Sequence, residues 1–449
     1  MEQSGNTPYA GWRYYTETFG CQMNVRDSET IAGVLVSLGF CAAEKREEAD
    51  LILFNTCCVR DHAEKRVFGN IGALREQKEQ NPSLIIGVCG CMMQQREAAE
   101  RLYKRFPYVD MVFGTNLLSR LPAFLDSVRE GNRVLAVESD AVQIEDTLPS
   151  IRTGKHNAFV NINYGCNNYC TYCIVPYVRG PERSREASHI VNEAAALVQA
   201  GYSEITLLGQ NVNSYGNDLD GVRFSDLLRR VSAVDGLRRI RFMTSHPKDL
   251  SDDMIEAMAS LPNVCHHVHL PMQSGSNEIL RRMNRRYTRE RYLSIVEKLR
   301  DAMRDVEITT DIIVGFPGET EADFLDTLDM VERVGFASAF TFKYSPRKGT
   351  AAAVMPAQIP EEEKRARLSR LNALQERKSR ENNEKYAGFT GEVHVEGCDT
   401  RRAPLCYGKY SNFKMVYFPG DPSLVGRYVN VTATGCTKNA LKGRQEEQG

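Results

Sequence analysis

The chain has 449 residues, 42% of them hydrophobic, which is more than one core usually organises, so a multidomain globular protein of two or three domains is expected. Lys plus Arg (57) and Asp plus Glu (58) nearly cancel, so any nucleic-acid surface must be a local patch. Thirteen cysteines, odd in number and partly clustered, do not form an extracellular disulfide framework; in a reducing compartment such clusters point to metal.

The opening segment MEQSGNTPYAGWRYYTETFG lacks a basic start followed by an apolar core, and no later apolar run is long enough to span a bilayer. No membrane association is expected, and the cytoplasm is the expected compartment.

From residue 12 to 135 short apolar runs alternate with amphipathic stretches: YYTETFG then SETIAGVLVSLGF, LILFNTC then EKRVFGNIGALREQ, LIIGVCG then REAAERLYKRF. This alternation predicts an open parallel α/β sheet. Cys21, Cys57 and Cys91 fall at the ends of predicted strands, where open α/β sheets form ligand sites. Residues 131–156 are polar, with Gly131, Pro149 and Gly154, and read as a connection.

A second repeating unit spans 152–380. Strands are predicted at AFVNINYG, EITLLGQ, RIRFMTSH, VCHHVHL, TTDIIVG and AFTFKYS, separated by helix-length segments, which gives a partial (βα)6 barrel. A charged connector helix follows, with Leu368, Leu371 and Leu374 three residues apart and Gly388 as its stop. The β-like runs GEVHVEG, FKMVYF and RYVNVTATG then suit a small all-β barrel over 386–449. The overall class is α/β.

The segment GCNNYCTYC places Cys166, Cys170 and Cys173 on one loop as C-x3-C-x2-C after the first barrel strand. Three thiolates hold three irons of a [4Fe–4S] cluster and leave the fourth open for a cofactor, whereas structural zinc takes a closed set of four ligands. A zinc loop or a chance cluster is the competing reading. Gln210 and Asn211 follow the second strand, Ser245 and His246 the third, and Gln273, Ser274 and Gly275 the fourth, so all are candidates for a cofactor site at one barrel mouth; ordinary polar turns are the alternative. The turn GFPGE, with Gly315, Pro317 and Gly318, fits either a tight connection or backbone contact with an adenine. His266, His267 and His269 cannot converge on a metal, because neighbours on a strand point to opposite faces.

The cysteine loop resembles that of the radical S-adenosylmethionine (SAM) superfamily. The resemblance implies Cys166, Cys170 and Cys173 as cluster ligands, SAM on the open iron, and Tyr172 along its adenine. Cys58 and Cys89 compete with Cys21, Cys57 and Cys91 on chemistry alone. TFGCQMN, FNTCCVRD and CGCMMQQ resemble the amino-terminal domain of radical methylthiotransferases, in which the matching cysteines are Cys21, Cys57 and Cys91, holding a second [4Fe–4S] cluster.

Within that family GCNNYCTYCIVPYVRGPERSR, LLGQNVNSYG, HLPMQSGS and KYSPRKGT are most similar to the tRNA-2-methylthio-N6-dimethylallyladenosine synthases. Pro181 departs from a basic residue common there. The resemblance implies transfer of a methylthio group to C2 of an isopentenylated adenosine beside the anticodon of tRNA, with one SAM as methyl donor and a second as radical source. It also implies an electron donor of flavodoxin or ferredoxin type; the sequence does not identify the sulfur donor. Related families act on threonylcarbamoyl-adenosine or on a ribosomal-protein aspartate, and a non-catalytic iron–sulfur carrier or RNA-binding protein is a rival of another class.

The carboxy-terminal β segment resembles the TRAM domain, an RNA-binding module. Lys409, Phe413 and Lys414 in GKYSNFKMVYF, Arg281 and Arg285 in the basic run LRRMNRRYTRERY, and Arg347 after the sixth barrel strand are the candidate RNA contacts.

Overall fold

A computed structural model describes residues 8–58, 61–137, 148–401 and 403–446, with side chains 61–65 set aside. Part of the expected connection (138–147) and the two chain ends (1–7 and 447–449) lie outside the described residues. The chain divides into two compact units: residues 1–153 with 163–167 and 174–185, and residues 154–162, 168–173 and 186–449.

In the first unit, β1 (Arg13–Thr18), α1 (Gln22–Ser37), β2 (Cys41–Ala42), β3 (Leu51–Thr56), α2 (Asp61–Gly72), α3 (Arg75–Gln80), β4 (Ile85–Gly90), α4 (Arg96–Arg105), β5 (Met111–Phe113), α5 (Leu121–Arg129) and β6 (Val134–Ala136) follow one another. The six strands are parallel in the order β2-β1-β3-β4-β5-β6. Every residue of β3 and β4 is buried, because apolar layers cover both faces of the sheet: Leu51 and Leu53 pack with Ile31 and Leu35, Ile52 and Phe54 with Val67 and Leu102. The chain reverses its direction of progress between β1 and β3, and the ends of these strands border the crevice such a switch point opens.

Strand β7 (Asn157–Asn161) opens the second unit. The two-residue strand β8 (Asn163–Tyr164), the short helix α6 (Val175–Arg179) and β9 (Arg183–Ser184) belong to the first, with β8 and β9 paired antiparallel. The second unit continues with α7 (Ala187–Gln199), β10 (Glu204–Leu208), α8 (Phe224–Ser232), β11 (Arg239–Phe242), α9 (Asp252–Ser260), β12 (His267–His269), α10 (Asn277–Arg282), α11 (Arg289–Ala302), β13 (Glu307–Val314), α12 (Glu321–Val334), β14 (Ser338–Lys343) and α13 (Glu361–Glu384). The six expected strands are present as two parallel three-stranded sheets, β7-β10-β11 and β12-β13-β14, joined by one parallel bridge from Ile240 to Val264. Alternation divides them: Ile308, Ile312 and Val314 of β13 join the helix layer, leaving Thr309, Asp311 and Ile313 on the opposite face.

Beyond α13, β15 (Thr390–Asp399), β16 (Leu405–Tyr410), β17 (Met415–Pro419), β18 (Tyr428–Cys436) and β19 (Leu441–Gln445) close into a barrel in the order β15-β16-β17-β19-β18. It is anchored to the rest of its unit by buried cations. Arg239 donates to the carbonyls of Lys409 and Glu392. Arg241 donates to those of Tyr410 and Ser411 and to the Glu204 carboxylate at 2.9 Å. Burial raises the Glu204 carboxyl, but Arg241 and His394 outweigh it and hold the group down at about 2.

Candidate functional site

Cys21, Cys57 and Cys91 sit at the ends of β1, β3 and β4 and gather around Gly20 and Asn24. Cys21 Sγ lies 3.9 Å and Cys91 Sγ 3.6 Å from the same Asn24 Oδ1. Gly20 has φ +118°, and a Cβ there would stand 2.7 Å from Cys57 Cβ and 2.9 Å from its Sγ, so only glycine lets Cys57 approach the end of β1. Asn24 is buried and donates to the carbonyls of Phe19 and Thr56, tying the ends of β1 and β3 together. Among the described residues no three His, Cys, Asp or Glu side chains converge on a single-ion position. A [4Fe–4S] cluster asks for a different arrangement, one thiolate at each of several separate irons, and three thiols at neighbouring strand ends fit that requirement.

The two competing cysteines separate. Cys89 is fully buried within β4 in the layer with Leu53 and Phe113, and burial pushes its thiol well above the ordinary range. Cys58 lies against Cys91 beside Ile174 and Val178. A hydrogen bond from Cys58 lowers the Cys91 thiol; burial opposes this and the Arg179 charge reinforces it. Cys58 therefore borders the site, and Cys89 does not.

Arg179, which the sequence reading did not single out, ends α6 and is buried. Its Nε donates to Cys91 Sγ at 3.1 Å, and its Nη2 to Asp27 Oδ2 at 2.6 Å and Asn24 Oδ1 at 3.2 Å. The only sequence signal for it was its place in IVPYVRG, directly after the cysteine loop.

Within the loop, Cys166 belongs to the first unit and donates its amide to the Gly180 carbonyl at 3.2 Å. Gly165 has φ +76°, and a Cβ there would meet the Pro181 carbonyl at 2.0 Å, so Pro181 packs directly under this turn. Cys170 and Cys173 belong to the second unit, where the Cys173 amide donates to the Cys170 carbonyl at 2.9 Å. Tyr172 packs edge-on to Phe316 at 6.5 Å.

At the carboxyl ends of the barrel strands, Ser245 Oγ, His246 Nε2 and Gln273 Oε1 are buried without a hydrogen-bond partner among the described residues, the condition of groups awaiting a polar ligand. Gln273 holds φ +67°, pinned by its amide to the Asp311 carbonyl and by its carbonyl to the Ile313 amide. Asn211 bonds Asp249 at 2.7 Å and accepts from the His246 amide, so it braces the strand-three turn. Gln210 borders it, 1 residue earlier. His267 and His269 share Thr309 Oγ1 at 3.0 Å each, while His266 pairs with Asp305, as strand alternation requires.

The candidate RNA contacts divide. Arg281 is exposed and paired with Glu278, and Arg347 lies in the loop after β14. Arg285 turns inward: it is 4% exposed and donates to the Pro271 carbonyl at 2.8 Å and to Cys170 Sγ at 3.4 Å. Phe413 stacks on His267 at 4.4 Å, and Lys409 Nζ lies 4.5 Å from the Phe413 ring and 2.9 Å from Glu396. Lys414 is buried against Asn382, Asn383 and Glu307. In the structure Arg285 and Lys414 thus serve packing inside their own unit, because the run that carries each folds back onto the barrel, whereas Phe413 stays half-buried.

Comparison with known proteins finds the "Radical SAM superfamily" over residues 160–331, the "Uncharacterized protein family UPF0004" over 13–114 and the "TRAM domain" over 384–445. The chain is 50% identical over 436 residues to the tRNA-2-methylthio-N(6)-dimethylallyladenosine synthase of Thermoanaerobacter sp. (strain X514), covering 97% of this chain and 93% of the relative. It is 51% identical over 432 residues to the enzyme of the same name from Caldicellulosiruptor saccharolyticus, covering 96% and 92%. Among solved structures, the radical SAM methyltransferase TsrM from Kitasatospora setae, with cobalamin and a [4Fe–4S] cluster bound, superposes with a TM-score of 0.56 at 14% identity over 77% of this chain and 74% of that one. The cobalamin-dependent radical SAM enzyme OxsB gives 0.53 at 12% identity over 81% and 56%. These two are likenesses of fold.

Proposed function

The chain belongs to the tRNA-2-methylthio-N(6)-dimethylallyladenosine synthase family, and on that premise we propose how its residues divide the work. The function is methylthiolation of C2 of an isopentenylated adenosine in tRNA, a reaction of the radical SAM class that requires SAM and a [4Fe–4S] cluster.

Cys166, Cys170 and Cys173 hold that cluster, and the buried groups of Ser245, His246 and Gln273 receive the polar atoms of SAM. When bound, the pair supplies a radical able to remove the C2 hydrogen, which is too weakly acidic for a general base. Arg285 beside Cys170 compensates thiolate charge. Cys21, Cys57 and Cys91 hold a second cluster, the site of sulfur. Arg281 and Arg347, with the carboxy-terminal barrel, contact the tRNA phosphates. The reductant is a flavodoxin- or ferredoxin-like protein. Among the described residues no helix is long and apolar enough to cross a membrane.

The observation that carries the sulfur-insertion reading is the gathering of Cys21, Cys57 and Cys91 around Gly20 and Asn24, since radical formation alone needs one cysteine trio. The test is anaerobic reconstitution of the full chain with iron and sulfide, incubation with reductant, SAM and isopentenylated tRNA, and mass spectrometry of the nucleosides. The 2-methylthio product is expected; unchanged nucleoside despite a full iron complement defeats the proposal.

A further inference from the structure

Arg179 stands outside the roles assigned above, yet burying a guanidinium at 5% exposure costs several kcal/mol unless its partners are well placed. Asp27, itself 6% exposed, neutralises it at 2.6 Å, which would suffice for a purely structural pair. The fork does more. With Nη2 held by the Asp27 carboxylate and the Asn24 amide oxygen, the planar guanidinium aims Nε at Cys91 Sγ, 3.1 Å away. A hydrogen bond and a positive charge on a ligand sulfur favour the reduced, more negative state of an iron–sulfur cluster.

We propose that Arg179, held by Asp27, is a positioning residue that orients the Cys91 thiolate and raises the reduction potential of the cluster held by Cys21, Cys57 and Cys91. This rests on the assignment of that second cluster. Asp27, at the opposite end of the fork, limits the effect by partly cancelling the charge. Arg179 lies six residues after Cys173, so the segment that leaves the radical-cluster loop also delivers the cation to the other cysteine site.

The experiment uses the full chain with Cys166, Cys170 and Cys173 replaced by Ala, reconstituted so that only the second cluster is present. Its potential is measured by EPR-monitored redox titration in this parent and with Arg179→Gln, Arg179→Lys or Asp27→Asn added. Arg179→Gln is expected to lower the reduction equilibrium at least about tenfold, ~59 mV for one electron. Arg179→Lys is expected to fall between, and Asp27→Asn to move the potential upward. Opposite shifts from the two partners of one pair are not produced by a merely structural role. Equal potentials in the parent, Arg179→Gln and Asp27→Asn overturn the inference. If Arg179→Gln fails to retain iron, Asp27→Asn decides: an upward shift supports the inference, and no shift or a downward one overturns it. A parent that binds no cluster removes the cysteine site itself and both readings with it, whereas a loaded parent insensitive to Arg179 removes this inference alone.

Discussion

Arg285 offers the sharpest discrimination between what its sequence context suggests and what its surroundings impose. In the run RRMNRRYTRER it reads as one of several phosphate-binding arginines, but it is 4% exposed and bonded to the Pro271 carbonyl at 2.8 Å, with Cys170 Sγ at 3.4 Å. Arg285→Met keeps the length and packing of the stem while removing the donors. A hydrogen bond from a charged group contributes about 1.5–3 kcal/mol. The longer contact to sulfur adds little, and release of a buried charge returns part of the loss. The second unit should therefore lose about 2 kcal/mol, roughly a 30-fold change in its folding equilibrium. Urea unfolding followed by circular dichroism measures this, alongside 5′-deoxyadenosine formed from SAM without tRNA, which should fall because Cys170 loses its cation. Unchanged unfolding and SAM cleavage together with weakened tRNA binding would refute the reasoning and return Arg285 to the RNA surface.

Three further outcomes are expected. In the Cys166, Cys170 and Cys173 to Ala background, Cys91→Ala should abolish iron binding while Cys89→Ala leaves iron and sulfide content unchanged, since Cys89 is buried in the layer with Leu53; iron loss in both would place Cys89 at the site. Gly20→Ala forces a Cβ to 2.7 Å from Cys57 Cβ at φ +118°, so the first unit should lose at least about 1 kcal/mol and bind less iron in that background; unchanged thermal unfolding would contradict this. Glu204 titrates at about 2 against an ordinary 4.5, so its contribution is complete above pH 4.5 and is lost as pH falls toward about 2. Between those limits the native chain should lose stability more steeply than Glu204→Gln, measured as urea midpoints; parallel curves would show that the Arg241 pair does not anchor the terminal barrel.

The sequence by itself determined the α/β class, the six parallel barrel strands and the strand-end address of Cys21, Cys57 and Cys91, because periodicity and strand termination are local properties read within a dozen residues. The spacing of Cys166, Cys170 and Cys173 is local in the same way, a pattern contained in eight residues. Only the tertiary structure separated Cys58 from Cys89. A step of one or two residues, from Cys57 to Cys58 or from Cys91 to Cys89, cannot say which thiol stays beside the strand-end cysteines and which enters a packed helix layer, and the layering of the sheet does. Long-range folding also took Arg285 and Lys414 from an expected nucleic-acid surface into the interior, since a basic residue reads alike in sequence whether it meets solvent or a buried partner. Arg179 shows the same limit from the other side. Its partners Asp27 and Cys91 lie 152 and 88 residues away, so no local pattern announced a buried cation that donates to Cys91 Sγ.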